Sequence, residues 1–494
     1  VPFGRRHRTE AVALVDSTNT RSSLTVEDVE MSRTTSHHLA ATTVVLALAL
    51  AACGTSGGDS DGTTASSAPQ STAADTTAPE TTAVEPTTTE AGPPADLLFG
   101  FDLSSGDINA TRDKYGVKGQ SSNLLNEDYY VALIDSYNEA GGIAGHKIVP
   151  VTYTPPTGDV PSDVVNQERC EQYFKGDQVA DVVVGTNDAI LNTCATDAGK
   201  VLFGRGFTGV DQKSLDAWPG FLNPQAATFD RAALATVDLA VNEGKVAAGT
   251  SVGVIYPGCD AQSAVFDDSL KPALEKAGAT VSAFKGTCIL SKADEGTALS
   301  ELPNAILQWK TDNVTAVFNL STGFIPVVLM MNEADKQGMT PTWVLNTNNE
   351  FGAMGTMNPP AAQMANVIAA GWSAGLDTFE TDPAKLGPKA QECLDKYAAV
   401  GFPAPANIGE LASQLDVCST FFALEIMLAG SPGAIDRDAM MSTLAASTED
   451  TAALTNSLDW TAGRQPNVTY TKAVYDTAGA KFVYEGSTVP MPES

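Results

Sequence analysis

The stretch VALIDSYNEAGGIAGHKIVPVTYTPP, residues 131–156, is the part of the chain whose reading decides the fold. A long helix runs into Gly141-Gly142 and ends there, because both residues are free to take positive φ. Ile143 plugs the turn and Gly145 permits the reversal. The strand KIVPVTY (147–153) then leaves directly from the turn. His146 lies inside this turn and is expected to face solvent.

The same alternation continues outward. VADVVVGT (179–186), KVLFGRG (200–206), SVGVIYPG (251–258), VTAVFNLS (314–321) and TWVLNTN (342–348) read as buried strands of four to seven residues. Between them, 266–277 and 324–337 carry apolar residues at helical spacing. Strands that are apolar throughout, separated by helices, mean parallel sheets covered on both faces, so the fold class is α/β. The region from Leu97 to Ser494 is too long for a single compact core and predicts two lobes.

Before this body the chain changes character. A run of about a dozen apolar residues from Leu39 to Leu50 is shorter than the roughly twenty needed to span a bilayer. It follows a short polar stretch with Arg33 and ends in Ala51-Ala52-Cys53, the layout of an export signal. Leu50-Ala51-Ala52-Cys53 resembles a bacterial lipoprotein signal, which implies cleavage before Cys53 and lipid on its sulfur. The alternative is an ordinary signal peptide with an incidental cysteine. Residues 1–30 have no place in such a signal and are expected to precede the true start at Met31. From 54 to 96 the sequence is nearly all Ser, Thr, Ala, Gly, Pro, Asp and Glu, with no apolar periodicity to bury, and reads as a disordered tether.

The chain holds 59 acidic and 29 basic residues, and the segment before Cys53 carries five of each, so the whole excess of 30 negative charges falls after it. Such a surface repels phosphate backbones, which argues against nucleic-acid binding.

The 131–156 stretch, with its Asn-x-x-Gly-Gly-Ile-x-Gly turn, resembles the opening of the branched-chain amino-acid binding protein family, the type I periplasmic binding proteins that serve ABC importers. Further matches follow in order. VADVVVGTNDAI (179–190) is similar to the strand and helix start that hold ligand in the first lobe. SVGVIYPGCDAQSAVFDDSLKPALEKAGATV (251–281) is similar to the opening of the other lobe, and 312–347 to its next unit. GELASQLDVCSTFFALEIML (409–428) resembles a late helix returning to the first lobe. The resemblance implies two Rossmann-like lobes with parallel sheets joined by a hinge: 97–228 and 351–460 for the first, 229–350 and 461–494 for the second. It also implies a small polar ligand, such as an amino acid or amide, held between the lobes and passed to an ABC permease. The protein would be anchored at the outer face of the cell membrane through Cys53. A ligand-sensing receptor lipoprotein of the same fold, not coupled to transport, is the alternative.

Catalysis is hard to build from this sequence, and the one enzymatic alternative left open is glycoside hydrolysis by paired carboxylates. GRGFTG (204–209) satisfies G-x-G-x-x-G, but VDQKSLDAWPGFLNP follows, broken by Pro219 and Gly220, where a nucleotide site requires a helix. It reads instead as a loop on the rim of a cleft. After Cys53 the sole histidine is His146, so no Ser-His or Cys-His pair can form. No cofactor and no metal site is expected. Removing Cys53 leaves six cysteines, which allow fifteen pairings, and export favours disulfides. Neighbours in sequence are expected to pair, each bridging one local unit: Cys170–Cys194, Cys259–Cys288 and Cys393–Cys418.

Ligands in open α/β sheets sit beyond the carboxyl ends of the strands. In the first lobe that place holds Thr186, Asn187 and Asp188, with Thr208 from the next loop. Thr186 and Asp188 serve equally well as helix caps. In the second lobe Asp260, Ser321, Asn346 and Asn348 stand at strand ends, with Asp260 a candidate partner for an ammonium group. Each is also an ordinary turn residue. The family's Tyr-Gly after the strand ending at Tyr256 is replaced here by PGCDAQ, which puts leucine-type specificity in doubt. Tyr115 is a candidate aromatic wall.

Overall fold

The computed structural model describes residues 94–103, 126–156, 160–185, 187–206, 209–290 and 292–493. Cys53, the segment around it, Tyr115, Thr186 and Thr208 lie outside the described residues.

Two sheets organise the body. The first contains β1 (Leu97–Asp102), β2 (Ile148–Tyr153), β3 (Val182–Gly185), β4 (Val201–Gly204) and β5 (Phe221–Leu222), all parallel in the order β2-β1-β3-β4-β5. Alternation along each strand sends side chains to opposite faces. Phe99, Phe101, Val182, Val184 and Phe203 face a core shared with Leu133, Leu415 and Phe421 from the helices Asn126–Glu139 and Ile408–Ala429. Val183, Leu202 and Phe221 face the other way, toward Tyr173 and Leu191. The helix Ile408–Ala429 is long and apolar enough to cross a membrane, but its apolar residues are buried in this core.

The second sheet contains β6 (Ser251–Pro257), β7 (Thr280–Gly286), β8 (Ala316–Asn319), β9 (Thr342–Asn346), β10 (Val367–Gly371), β11 (Thr469–Asp476) and β12 (Lys481–Pro490), in the order β12-β11-β10-β9-β8-β6-β7. It too is covered on both faces: Val252, Val254 and Tyr256 face one core, and Ile255 another.

The α/β class with parallel sheets holds, with one addition and one corrected boundary. The second sheet is not wholly parallel, because β11 and β12 form an antiparallel hairpin and β11 also pairs antiparallel with β10. The chain also returns to the first lobe later than residue 350. β10 pairs in parallel with β9 through Val367↔Trp343 to Ala370↔Asn346, so 351–371 belong to the second lobe.

The lobes are joined by three segments that lie side by side. Trp372 Nε1 donates to Gln225 O (2.9 Å), and Asn467 Nδ2 donates to Pro224 O (3.0 Å) and Ala226 O (3.2 Å). The first crossing, around Asn223–Thr228, is therefore gripped by the other two.

The opening turn behaves as its glycines require: Gly141, Gly142 and Gly145 have φ of 101, 85 and 84°. Asn138 clamps the next strand, its Nδ2 donating to Ile148 O (2.9 Å) while its Oδ1 accepts from Ile148 N (2.8 Å). His146, expected in solvent, is fully buried. Its Nδ1 lies 2.7 Å from Ala95 O and its Nε2 lies 2.8 Å from Ser431 O, because the segment before β1 and the loop after Ile408–Ala429 close over the turn. All three expected cysteine pairs are bonded, with Cα–Cα separations of 5.8, 4.9 and 5.7 Å.

Candidate functional site in the cleft between the lobes

The carboxyl ends of both sheets meet at a cavity of about 210 Å3. Gly206, Leu376, Ser413 and Asp416 border it from the first lobe, and Glu350 and Ala353 from the second. A larger, more open hollow of about 620 Å3 lies beside the Cys170–Cys194 bridge, but it takes no residue from the second lobe. The smaller cavity occupies the position where α/β sheets bind ligands, and at about 210 Å3 it lies below the roughly 300–1,000 Å3 of sites for drug-sized ligands, which restricts it to a compact solute.

Charge enters from the first lobe. Arg205 follows β4 directly, its backbone N–H donating to Gly185 O (3.1 Å). Its guanidinium carbon sits 5.8 Å from the ring centroid of Tyr130, within cation–π range. Asp416 projects from Ile408–Ala429, and its backbone carbonyl accepts from Gln225 Nε2 (3.2 Å), which fixes the helix to the first crossing. Asp416 keeps part of its surface open to the cavity. Burial on its remaining sides raises the carboxyl to about 6, and the attraction of Arg205 opposes that rise. At neutral pH the carboxyl is therefore largely ionised beside a cation.

Behind this pair the end of β1 is neutralised. Asp102 Oδ2 accepts from Arg169 Nε (2.9 Å) and Nη2 (2.6 Å), and Oδ1 accepts from Tyr173 Oη (2.8 Å).

The second lobe presents amides. Asn346 Oδ1 accepts from Asn348 N (2.9 Å), Asn349 Oδ1 accepts from Asn346 N (3.0 Å), and Asn349 Nδ2 donates to Ser321 O (2.6 Å). Ser321 Oγ donates to Asn319 Oδ1 (2.7 Å). Side chains and backbone here satisfy one another, so the loops after β8 and β9 are locked together.

Of the residues named from sequence, Asp188 caps the helix Ala189–Asp197, accepting from Ile190 N (2.8 Å). Asn187 Nδ2 donates to Gly209 O (2.8 Å). Asn348 is buried against the hinge, with Nδ2 donating to Ala227 O (3.4 Å) and Oδ1 lacking a hydrogen-bond partner. Asn346 and Ser321 are committed to the amide network. Asp260 is exposed at the start of the helix Asp260–Val265.

Arg205, Glu350 and Asp416 were not singled out from the sequence. Two of them carried a legible signal: Arg205 lies within GRGFTG at a strand end, and Asp416 is one of only two charges between Leu411 and Leu428.

A buried carboxyl underlies the hinge. Asp377 Oδ2 accepts from Thr347 Oγ1 (2.7 Å), Ser373 N (3.0 Å) and Tyr484 Oη (2.6 Å), while Oδ1 has no partner. Burial raises this carboxyl to about 7 despite those three donors.

No family model matches the chain, and no curated protein matches it. Solved structures do. A fatty acid ABC transporter substrate-binding protein from Thermomonospora curvata is 13% identical, covering 82% of this chain and 96% of its own, with a TM-score of 0.55. A solute-binding protein of an ABC transporter from Rhodopseudomonas palustris BisB5, in complex with 3,4-dihydroxybenzoic acid, is 12% identical (81% and 98% covered, TM-score 0.54). A leucine-binding protein from Thermotoga maritima MSB8 is 10% identical (80% and 99% covered, TM-score 0.54). The chain therefore has the two-lobed α/β fold of type I periplasmic binding proteins. Two of these neighbours are substrate- or solute-binding proteins of ABC transporters, and the third is a leucine-binding protein.

Proposed function

We propose that this protein is the solute-binding component of an ABC importer and holds a small zwitterion, an amino acid or a close relative, between its lobes. The observation that carries this reading is that the Asp416 carboxyl borders a small interlobe cavity and feels the attraction of Arg205, the residue directly before the cavity-lining Gly206. Arg205 takes the ligand carboxylate, since a guanidinium matches that geometry. Asp416 and Glu350 take the ammonium. Asn187, Asp188 and Asn348 shape the rim, with Thr186 and Thr208 completing the first-lobe edge and Tyr115 a wall. In the same reading, Asp260, Ser321 and Asn346 support the second-lobe rim.

The ligand favours whichever arrangement lets both lobes touch it, so binding shifts the population toward closure. Export, cleavage before Cys53 and lipidation there place the body outside the cell on its tether, where an ABC permease is the partner. No catalytic residue, cofactor or metal enters the reading.

A thermal-shift screen tests it, using protein unfolded and refolded to strip bound ligand, against amino acids, amides, polyamines, sugars and aromatic acids. A ligand at 100 times its Kd stabilises by about 2.7 kcal/mol. A hit among zwitterions is expected. A flat panel on folded protein would count against the reading and favour a receptor for a protein partner.

A further inference from the structure

Two segments, 352–355 and 376–379, form a thin wall behind the cleft. Ala353 and Leu376 face the 210 Å3 interlobe cavity, whereas Gly352, Gly355, Asp377 and Thr378 face a second cavity of about 470 Å3. The segments meet closely, since a Cβ on Gly352 would collide with the carbonyl of Leu376. Among the described residues, Phe379 alone borders both cavities.

Its backbone is unusual. Phe379 has φ of 54°, just past the short helix Ala374–Asp377, where the chain turns back with Glu380 N donating to Ala374 O (3.3 Å). This left-handed position after a helix normally goes to glycine or asparagine, and a bulky side chain there is strained. The sequence thus keeps an aromatic ring where local geometry favours none, and that ring stands between two cavities. The far cavity is bordered by Met364, Tyr475 and Phe482 on an apolar side, with Asn358, Asp377 and Lys481 elsewhere on its lining.

We propose that Phe379 is the specificity-determining partition of the binding site. It limits ligands to those whose side chain ends at the ring, and the cavity beyond is a second compartment for longer apolar side chains, reached when the ring is absent or swings aside. The inference rests on the zwitterion reading of the cleft.

The test is a homologous series of straight-chain α-amino acids, from alanine through norleucine to 2-aminodecanoate, titrated calorimetrically into the stripped wild-type protein and Phe379→Gly. Glycine suits the left-handed backbone, which offsets part of the packing that the ring loses, so this variant is expected to melt lower than wild type but to stay folded. Wild-type affinity should rise about fourfold per methylene and then fall away once the chain meets the ring. In Phe379→Gly the rise should continue, with the longest member binding about 60-fold tighter than to wild type, three methylenes' worth at fourfold each.

If Phe379→Gly does not fold, Phe379→Ala carries the same comparison. An identical chain-length limit in both proteins would overturn the partition and leave the zwitterion reading standing. Failure of every member to bind either protein would overturn that reading, and the partition with it.

Discussion

The strand ends of the two lobes meet at one cavity but are built differently. Around those of the first lobe charge gathers: Asp102 and Arg169 are paired behind, Asp416 borders the cavity from the helix Ile408–Ala429, and Arg205 precedes the cavity-lining Gly206. Those of the second carry Asn319, Ser321, Asn346 and Asn349, whose polar atoms bond mainly to one another and to the backbone. Charge costs free energy to bury and is tolerated where a ligand supplies the counter-charge, whereas a satisfied amide network needs no ligand and makes a rigid wall. In the proposed reading the first lobe supplies most of the recognising charge, Glu350 adds one carboxylate from the second, and the amide network holds the second-lobe wall in place.

The largest test of this division concerns the hinge that joins the two. Asp377 is fully buried, and its carboxyl is raised from 3.8 to about 7. A raised carboxyl means that the folded state binds the proton more tightly than the unfolded chain. Its contribution to stability is therefore complete below about 3.8 and lost as pH rises through about 7. Across that window the loss is on the order of 4 kcal/mol. Urea midpoints measured from pH 4 to 8 should show Asp377→Asn gaining on wild type as pH rises, and a constant difference would contradict the assignment.

The disulfides sharpen the contrast between lobes. Cys393–Cys418 and Cys259–Cys288 close segments of 25 and 29 residues, so chain entropy predicts about 3 kcal/mol for each. Burial separates them: Cys393 and Cys418 are buried in the first-lobe core, whereas Cys259 and Cys288 retain exposure at the second-lobe rim. Under graded reductant, mass-spectrometric alkylation should label Cys259 and Cys288 well before the other four, and simultaneous labelling would break the distinction.

A smaller effect separates capping from recognition. Asp188→Ala removes the cap of Ala189–Asp197 and should cost about 1 kcal/mol by chemical denaturation. A fall in ligand affinity well beyond that loss would add Asp188 to the recognition set.

Much of this was legible in the sequence. β2, β3, β4, β6, β8 and β9 fall within the apolar runs because buried parallel strands are apolar on both faces. The cysteine pairs followed from local units. The β11–β12 hairpin escaped because it alternates polar and apolar residues near the sheet edge, as in Thr469–Asp476. His146 misled because a histidine among glycines reads as exposed, and its cover comes from Ala95 and Ser431, the latter 285 positions away. The roles of Phe379 and Asp377 depend on where the second crossing passes through the hinge, which no periodicity encodes. Arg205 was visible within a loop already placed on the cleft rim, and its significance waited on Asp416 being brought beside it.

The most direct measurement is a calorimetric titration of the best zwitterionic ligand into wild type, Arg205→Ala and Asn346→Ala, with melting temperatures recorded alongside. Losing one charge-assisted contact is worth about 1.5–3 kcal/mol, so Arg205→Ala should bind roughly 10- to 100-fold more weakly. Its melting temperature in the absence of ligand should fall modestly, as Tyr130 and Asp416 lose their cation, and Arg205→Lys, which keeps the charge, should recover that loss more fully than it recovers affinity. Asn346→Ala should also melt lower, because its amide network loses an anchor. Unchanged affinity in Arg205→Ala, or a loss of affinity in Asn346→Ala at unchanged stability, would contradict the division of labour between the lobes.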